Sequence, residues 1–368
     1  MSPLEPAAVV PPIDRPLVRG STIGFLGGGQ LARMLAMAAA RLGYRTVVLD
    51  PADPCPAAQV CNTQIVGSYD DPSAIDRLAA LCDVVTYEFE NVPSQAAERL
   101  TASTVLRPNQ QALAVSQDRL VEKEFLRSAG IGTAPFRAVS TVEEIRAAVE
   151  ALGGDVIVKT RRLGYDGKGQ VRVGGVVADD LVDSLGSTSL IAEGLIDFEA
   201  EISVIVARSD SGDVRCFEPA RNTHREGILV ASNVPADVSP DVIDRAIDHA
   251  RRLVTALDYV GVLGLELFVM GDGTVLANEF APRVHNSGHW TELACDVDQF
   301  EQHIRAITGH PLGDPGTVPC EMVNLIGNEV DRAFELVADG RWRVHLYGKA
   351  EVRPGRKMGH ATRRVRKR

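Results

Sequence analysis

The chain has 368 residues, of which 45% are hydrophobic and 24% charged, a composition typical of a folded globular protein rather than a disordered one. Because one hydrophobic core seldom organises so many residues, two or three domains are expected. The formal net charge of -10 argues against a nucleic-acid-binding protein, since such proteins need a basic surface to neutralise phosphates.

The N-terminal leader, residues 1–20, contains five prolines and no apolar segment of the signal-peptide kind, so we expect it to be disordered. The six cysteines form no CxxC pair and have no histidine at zinc spacing, which predicts reduced thiols and a cytoplasmic protein. No window approaches the ~20 consecutive apolar residues that a membrane-spanning helix requires, so no membrane association is predicted.

Residues 21–117 show the pattern of a small doubly wound α/β domain. A strand from Thr22 to Leu26 is followed by a glycine turn, a helix from Gln30 to Leu42 and a second strand that ends at Asp50. Gly27-x-Gly29-x-x-Ala32 fits a dinucleotide fingerprint and, taken alone, would indicate an NAD-dependent oxidoreductase with Asp50 on the ribose. The same turn serves any phosphate-bearing ligand, because the first N–H groups of a helix are unpaired.

Residues 118–195 are predicted to form a compact α+β module. An amphipathic helix from Asp118 to Ala129 opens it, and a strand from Val156 ends at Lys159. Gly164-Tyr165-Asp166-Gly167-Lys168-Gly169-Gln170 then places three glycines in six residues, so that backbone N–H groups can approach a polyphosphate. This is not a Walker A loop, because it opens a strand and lacks GK[ST]. We therefore predict a phosphate-covering lid.

Residues 196–310 are expected to form an antiparallel sheet with helices on one side, from Pro240 to Leu257 and from Glu292 to Thr308. Within this sheet, Asp272-Gly273 joins two strand-like runs and is a signal for a two-residue hairpin loop.

With that loop, Glu266 lies directly opposite Glu279, and the other face of the strand points to the core through Leu263, Leu265, Leu267 and Val269. Directly opposed carboxylates destabilise an antiparallel pair unless something neutralises them. Carboxylates without cysteine or histidine suit a hard cation, so the pair predicts a magnesium site. The simpler interpretation is two glutamates that are merely hydrated.

Five motifs together are specific. They are Gly27-Gly28-Gly29-Gln30-Leu31, Tyr87-Glu88-Phe89-Glu90-Asn91, Lys159 with the loop from Gly164 to Gln170, Asn278-Glu279-Phe280-Ala281-Pro282-Arg283-Val284-His285-Asn286-Ser287-Gly288-His289-Trp290, and Glu351-Val352-Arg353-Pro354-Gly355-Arg356-Lys357-Met358-Gly359-His360. They resemble the ATP-grasp superfamily and, within it, the N5-carboxyaminoimidazole ribonucleotide synthase family, the ATPase subunit of microbial phosphoribosylaminoimidazole carboxylase. The resemblance implies an ATP-grasp fold with a Rossmann-like N-terminal domain, a small α+β lid and a C-terminal antiparallel sheet domain.

The resemblance implies ATP and Mg²⁺ as cofactors, with ATP between the lid and the sheet. Glu266 and Glu279 would hold Mg²⁺, in agreement with the hairpin prediction. Asn278 falls on the other face by strict alternation, so its implied role requires a local twist or a backbone contact. The implied ATP-binding residues are Arg119, Lys159, Gly164, Tyr165, Asp166, Gly167, Lys168, Gly169, Gln170, Glu193, Gly194, Leu195, Ile196, Glu201, His224, Asn278 and Glu279.

The implied reaction takes ATP, bicarbonate and 5-aminoimidazole ribonucleotide to N5-carboxyaminoimidazole ribonucleotide, ADP and phosphate in purine biosynthesis, by way of carboxyphosphate. Arg283 would anchor bicarbonate, because a planar guanidinium fork suits such an anion. His285 would fix the substrate or serve only structurally, and Tyr165 with Asp166 would orient or deprotonate the amine. The implied ribonucleotide-binding residues are Gln30, Glu88, Asn286, Ser287, Lys349, Arg356 and Lys357, the last three at the 5′-phosphate.

Residues 311–368 are expected to form a shortened C-terminal subdomain with a basic tail, since 11 Lys/Arg and one acid lie from Arg341 to Arg368. The resemblance also implies a homodimer that acts on small molecules. Three alternatives remain: a formate-dependent glycinamide ribonucleotide transformylase, an NAD-dependent oxidoreductase, and a nucleotide-binding regulatory protein without catalysis. The string from Pro282 to Ser287 argues against the first.

Overall fold

The computed structural model describes Ile13, residues 15–164 and residues 169–365. Its N-terminal part contains a five-stranded parallel sheet with the strand order β3-β2-β1-β4-β5. The elements in chain order are β1 (Thr22–Leu26), α1 (Gln30–Arg41), β2 (Arg45–Asp50), β3 (Thr63–Val66), α2 (Pro72–Leu81), β4 (Val84–Tyr87), α3 (Ser94–Ser103) and β5 (Val105–Leu106).

Both faces of this sheet are covered, which explains its nearly continuous apolar strands. Phe25 and Val48 pack with α1 on one face, while Leu26 and Leu49 pack with α2 and α3 on the other. Asp71 starts α2 because its carboxylate accepts a hydrogen bond from Ser73 N at 2.9 Å. The doubly wound α/β prediction is therefore confirmed.

The lid is a four-stranded sheet with the order β6-β9-β7-β8 and its own apolar core. Two helices precede it, and the first turn of the second is capped by Asp118, whose carboxylate accepts from Leu120 N. The elements are α4 (Gln110–Ser116), α5 (Arg119–Ser128), β6 (Phe136–Val139), α6 (Val142–Ala151), β7 (Asp155–Thr160), β8 (Gln170–Gly174), α7 (Leu181–Leu185) and β9 (Leu190–Gly194).

The rest of the described chain builds one nine-stranded antiparallel sheet in the order β15-β14-β10-β12-β13-β16-β18-β17, with β11 paired to β10. Its C-terminal strands are continuous with the others through the β13–β16 pairing. The elements are β10 (Phe198–Arg208), β11 (Val214–Cys216), β12 (Ala220–Arg225), β13 (Ile228–Val234), α8 (Pro240–Ala256), β14 (Gly261–Met270), β15 (Val275–Ala281), α9 (Thr291–Ala294), α10 (Gln299–Ile307), β16 (Cys320–Ile326), α11 (Ala333–Asp339), β17 (Arg343–Leu346) and β18 (Lys357–Arg364).

The expectation of helices on only one side of this sheet is wrong. Helix α8 packs on the face that carries Leu265, whereas α10 and α1 pack on the face that carries Ile205. The single helix predicted from Glu292 to Thr308 is also wrong, because α9 and α10 are separate. Asp298 starts the second helix by accepting from the N–H groups of Phe300 and Glu301, both at 2.9 Å.

The hairpin loop between β14 and β15 has three residues, not the predicted two. Met270 N donates to Thr274 O at 2.8 Å, and Gly273 N donates to Met270 O at 2.8 Å. Gly273 has φ +80, whereas Asp272 is not among the positive-φ residues. This is a turn closed by a left-handed glycine, the usual three-residue alternative to the two-residue loop.

Part of the predicted leader, Ile13 and residues 15–20, is described, and Leu17 joins it to the body. Leu17 N donates to Thr308 O at 2.9 Å, and the Tyr44 hydroxyl donates to Leu17 O at 2.9 Å. All six cysteines are unpaired. Among the described residues, no helix combines the length and apolarity needed to cross a bilayer.

The hairpin loop gives a direct test of its backbone geometry. We expect Gly273→Ala to lower the free energy of unfolding by about 1 kcal/mol, because a left-handed conformation is costly for any residue with a β-carbon. Gly271→Ala in the same loop is the matched control, since its φ is not positive. Equilibrium urea unfolding measures both, and equal losses would contradict the left-handed conformation of Gly273.

Candidate functional site

Glu266 on β14 lies directly across from Glu279 on β15, as the sequence predicts. The agreement depends on two deviations that cancel. The three-residue loop shifts the pairing by one residue, so that Leu267 faces Ala277. A bulge between Glu266 and Leu267 shifts it back, so that Glu266 faces Glu279. Asn278 is the extra residue of this bulge. It therefore leaves strict alternation, as its implied role requires.

The two glutamates have unequal environments. The side chain of Glu266 is 17% exposed and that of Glu279 is 43% exposed. Burial, followed by the charge of Glu279, raises the pKa of Glu266. Burial also favours neutral Glu279, but the Arg119 guanidinium outweighs it and lowers the pKa of that carboxyl. A divalent cation between the two would offset the repulsion, which is the second cause of the raised pKa of Glu266 after burial.

Arg119 connects the hairpin to the lid. Its Nη1 lies 2.9 Å from Glu279 Oε2, and its Nη2 donates to the carbonyl of Gly164 at 2.9 Å. Arg119 is the first residue of α5, which Asp118 caps, so the cap fixes where this guanidinium starts. One side chain thus joins the carboxylate pair to the beginning of the glycine-rich loop. Tyr165, Asp166, Gly167 and Lys168 of that loop lie outside the described residues.

Behind the loop lies a buried carboxylate with two cations. Glu193 Oε2 is 3.1 Å from Lys159 Nζ and 3.2 Å from Lys123 Nζ. Burial favours neutral Glu193, but the two ammonium groups outweigh it and lower its pKa. The other oxygen, Glu193 Oε1, is buried and has no hydrogen-bond partner within the described part of the chain. It is an acceptor available to a ligand that brings a donor.

The remaining ATP-site candidates lie near this carboxylate in sequence or on the neighbouring sheet. Gly194 ends β9, and Leu195 follows it with an exposed side chain before Ile196. Glu201 on β10 forms an ion pair with His224 on β12. Burial opposes protonation of His224, but the hydrogen bond to Glu201 outweighs it and raises the pKa of the imidazole. Gly169 and Gln170 lie where the loop re-enters the sheet as β8.

Arg283 follows β15 and forms an ion pair with Glu90 of the N-terminal domain. Its Nη1 also donates to Val284 O at 3.2 Å. The guanidinium predicted to hold bicarbonate is thus already engaged by a carboxylate, which orients it across the boundary between the two domains. Sequence reasoning did not single out Glu90 as a site residue.

His285 lies beside the glutamate pair, with its Nε2 3.3 Å from Glu266 Oε1 and its Nδ1 2.8 Å from Ser287 Oγ. Burial lowers the pKa of His285 to about 3, and the Arg283 charge acts in the same direction. The imidazole is therefore neutral at physiological pH. Asn286 is buried, and its side-chain amide donates to Asn324 Oδ1 at 3.0 Å, which is a structural contact. The hydroxyl of the next residue, Ser287, is the group that contacts His285.

The glycine turn before α1 is filled by a side chain of the protein itself. Glu88 accepts hydrogen bonds from the N–H groups of Gly29, Leu31 and Ala32 at 2.7, 3.1 and 3.2 Å. A β-carbon on Gly29 would meet Glu88 Oε1 at 2.6 Å, so the glycine makes room for this carboxylate. The amides that would bind a pyrophosphate are occupied, which disfavours the dinucleotide interpretation.

Gln30 is the first residue of α1 and is half-buried beside this turn. Of the cations predicted at the 5′-phosphate, Lys349 Nζ donates to Lys357 O at 2.7 Å, and Arg356 Nη1 donates to Glu351 O at 3.0 Å. Lys357 contributes to the electrostatic environment of Glu266 and His285. The structure therefore brings the Lys349 side chain to the backbone of Lys357, and the charge of Lys357 favours the ionised form of Glu266.

Two buried charges on α5 were missed by sequence reasoning. Lys123 pairs with Glu193, and Glu122 accepts from Phe280 N at 2.7 Å. Burial, followed by the charge of Glu279, raises the pKa of Glu122 to about 8. A signal was present, because these residues share one helical face with Arg119 and the buried Leu126.

Three family models match consecutive parts of the chain. Residues 20–117 match the ribonucleotide synthetase preATP-grasp domain, and residues 124–300 match the ATP-grasp domain. Residues 320–366 match the phosphoribosylaminoimidazole carboxylase C-terminal domain.

Individual proteins are similar over nearly the full length. The N5-carboxyaminoimidazole ribonucleotide synthase of Brucella melitensis is 55% identical over 94% of this chain and 96% of its own. The Bacillus subtilis protein of that name is 41% identical over 93% and 91% of the two chains.

Solved structures of proteins with this name, or a close variant of it, are similar to this chain as well. The Staphylococcus aureus N5-carboxyaminoimidazole synthetase complexed with ADP aligns with a TM-score of 0.91 at 37% identity and covers 95% of each chain. The Aspergillus clavatus synthase in complex with ADP and 5-aminoimidazole ribonucleotide aligns with a TM-score of 0.87 at 33% identity and covers 94% of each chain.

The buried Lys123–Glu193 ion pair should contribute to the stability of the fold. We expect Lys123→Met to lower the free energy of unfolding by about 3 kcal/mol, because a buried carboxylate loses one of its two cations. Arg172→Met, which breaks an ion pair whose side chains are 65% and 46% exposed, should cost less than about 1 kcal/mol. Urea unfolding compares the two variants, and a similar loss in both would contradict the burial argument.

Proposed function

Because this chain belongs to the N5-carboxyaminoimidazole ribonucleotide synthase family, and so is an ATP-grasp carbon–nitrogen ligase of purine biosynthesis, we propose that ATP lies between the lid and the nine-stranded sheet. The observation that carries this proposal is the direct opposition of Glu266 and Glu279 beside Arg119 and the glycine-rich loop. The reaction is the ATP-dependent carboxylation of 5-aminoimidazole ribonucleotide.

The ATP site is proposed to use charges from both sides of the cleft. Lys159 and the N–H groups of the loop from Gly164 to Gln170 would contact the phosphates, and Arg119 would move between Glu279 and a phosphate oxygen. Glu193 Oε1, which no described residue contacts by a hydrogen bond, supports an adenine-side position, since the adenine amino group is a donor. Gly194, Leu195 and Ile196 would line the base, and Glu201 with His224 would bind the ribose end.

Glu266 and Glu279 are proposed to hold Mg²⁺, with the bulged Asn278 beside them. The residues fit such an ion, because two opposed carboxylates are hard oxygen ligands, and burial followed by the charge of Glu279 raises the pKa of Glu266. When bound, the ion would neutralise charge on the phosphates during transfer. His285, neutral and close to Glu266, would add a hydrogen bond without a competing positive charge.

Bicarbonate is too weak an electrophile for the amine to attack it directly, so it must first be activated. We propose that a bicarbonate oxygen attacks the γ-phosphoryl group of ATP, which gives carboxyphosphate and ADP. Arg283 would anchor the bicarbonate, and Glu90 fixes the orientation of its guanidinium. The exocyclic amine of the ribonucleotide then takes the carboxyl group, and phosphate leaves. Tyr165 and Asp166 are proposed to orient or deprotonate this amine, with the lid excluding water from the intermediate.

The ribonucleotide is proposed to bind between the N-terminal domain and the C-terminal strands. Lys349, Arg356 and Lys357 would hold its 5′-phosphate, and Ser287 with Asn286 would contact it from the sheet. Gln30 and Glu88 would reach it from the α1 turn, where Glu88 keeps its hydrogen bonds to the helix N-terminus. We also propose a homodimer, which the family resemblance supports, and a cytoplasmic location, which six unpaired thiols support.

One assay tests the function. ADP release is measured with ATP, Mg²⁺, bicarbonate and 5-aminoimidazole ribonucleotide, leaving out each component in turn. We expect ADP formation to require both the ribonucleotide and ATP, because the amine consumes the activated carboxyl group. ADP formation unaffected by the ribonucleotide would reject the carboxylation, and dependence on formate with glycinamide ribonucleotide would favour the transformylase instead.

Glu279→Gln tests the metal role. We expect turnover to fall by at least about 100-fold with folding intact, because the amide keeps the size of the side chain and loses its charge. Mn²⁺ binding, followed by electron paramagnetic resonance, should weaken in parallel. Asp272→Asn at the exposed tip of the same hairpin is the matched control and should leave both quantities unchanged. Wild-type Mn²⁺ affinity in Glu279→Gln would remove the glutamate pair from the metal site.

A further inference from the structure

A second cluster of ligand-type side chains lies where α9 meets the last two strands, and the proposed reaction uses none of its residues. His345 on β17 and His360 on β18 are direct cross-strand partners, which puts both imidazoles on one face of the sheet. Glu292 of α9 lies against both. Its Oε2 is 3.1 Å from His345 Nδ1 and 3.0 Å from His360 Nε2.

The three ligand atoms all lie within 4.8 Å of one another. A tetrahedral ion with ligand bonds of about 2.0–2.2 Å separates its ligand atoms by roughly 3.4 Å. The observed separations of 3.0 and 3.1 Å to the carboxylate oxygen are only a few tenths of an ångström shorter. A small outward movement of the two histidines from the carboxylate oxygen would therefore bring these two separations to the tetrahedral value.

A tyrosine behind the cluster fixes one of the rings. The hydroxyl of Tyr347 lies 3.0 Å from His360 Nδ1, and both residues are buried. Without an ion, His360 Nε2–H donates to the Glu292 carboxylate, because an ionised carboxylate can only accept. An ion would take the place of that proton, so that Nδ1–H would donate to the Tyr347 hydroxyl and the Nε2 lone pair would face the ion. Histidine ligands in metal sites are usually oriented by such a second hydrogen bond.

The other side of the cluster is open. Glu292, His345 and His360 line a cavity of about 290 Å³ together with Arg33 and Arg343. This volume holds several water molecules, whose share of the liquid is about 30 Å³ each. A three-ligand site at its wall would keep a fourth position for water or an anion, and the two arginines favour an anion.

We propose that Glu292, His345 and His360 form a divalent transition-metal site with a fourth position open to this cavity. Two imidazole nitrogens and one carboxylate oxygen suit Zn²⁺, whereas Mg²⁺ and Ca²⁺ prefer oxygen ligands alone. The site is therefore different in chemistry from the glutamate pair of the hairpin. It is also independent of the proposed roles in carboxylation.

Metal binding to the purified full chain tests this proposal. The chain is treated with a chelator, dialysed against Zn²⁺ or Co²⁺, and its metal content and visible spectrum are measured. We expect one equivalent of Zn²⁺ and the intense Co²⁺ bands of a four-coordinate nitrogen–oxygen site. Glu279→Gln should keep both signals, because the hairpin is not involved.

His345→Gln should weaken Zn²⁺ binding by at least about tenfold and abolish the Co²⁺ bands, whereas His249→Gln on α8 is the histidine control and should change neither. Tyr347→Phe should weaken Zn²⁺ binding by about 10-fold through loss of the orienting hydrogen bond. Since His345 lies at the cavity wall, its substitution spares the buried core. Failure of the wild-type chain to retain Zn²⁺, or equal retention by His345→Gln, would overturn the proposal and leave a hydrogen-bonded trio only.

Discussion

The repulsion between Glu266 and Glu279 is the constraint around which the candidate site is arranged. Two carboxylates directly opposed on one hairpin are unfavourable, and the backbone nevertheless holds them there through a bulge. The surrounding charges compensate the two unequally, and the pKa is lowered for Glu279 but raised for Glu266. Arg119 stabilises ionised Glu279, while Glu266 has a neutral imidazole for its neighbour. The residual repulsion is what the cation proposed for this hairpin would relieve.

Each charge that offsets the pair comes from a different structural unit. Arg119 belongs to the helix before the lid and also contacts the lid through Gly164. Lys159 belongs to the lid sheet, and Arg283 leads to Glu90 in the N-terminal domain. Because one guanidinium contacts both the hairpin and the lid, a movement of the lid changes the electrostatics around Glu279. If a nucleotide binds under the lid and a cation on the hairpin, as proposed, the two binding events are therefore expected to depend on each other.

Much of this arrangement was predictable from sequence, because it depends on local patterns. Alternation of apolar residues along β14 fixed which face carries Glu266, and the glycine and capping signals located the α1 and α5 helices. The opposition of the glutamates was predicted correctly for an incomplete reason. Counting pairs from a two-residue loop gave the right partner only because the bulge at Asn278 compensates for the longer turn.

The remaining features depend on contacts between distant segments, which periodicity cannot reveal. Helical spacing places Glu122 and Lys123 on the face of α5 that carries the buried Leu126, but it cannot show that Phe280 N and Glu193 are their partners. Glu90 is two residues from Glu88, but its carboxylate pairs with Arg283 of the large-sheet domain. The position of α10 against α1 likewise follows from the way the two sheets meet, so the covered second face of the large sheet could not be deduced from either helix alone.

The turn that Glu88 fills has a consequence for interpreting glycine fingerprints. The same spacing that admits a pyrophosphate in dehydrogenases here admits a carboxylate from the chain's own polypeptide, at a distance that a β-carbon on Gly29 would prohibit. Such a fingerprint therefore reports how near a negatively charged group comes to the main chain. Whether that group is a cofactor or an internal substitute is decided elsewhere, by a single acidic residue one strand away.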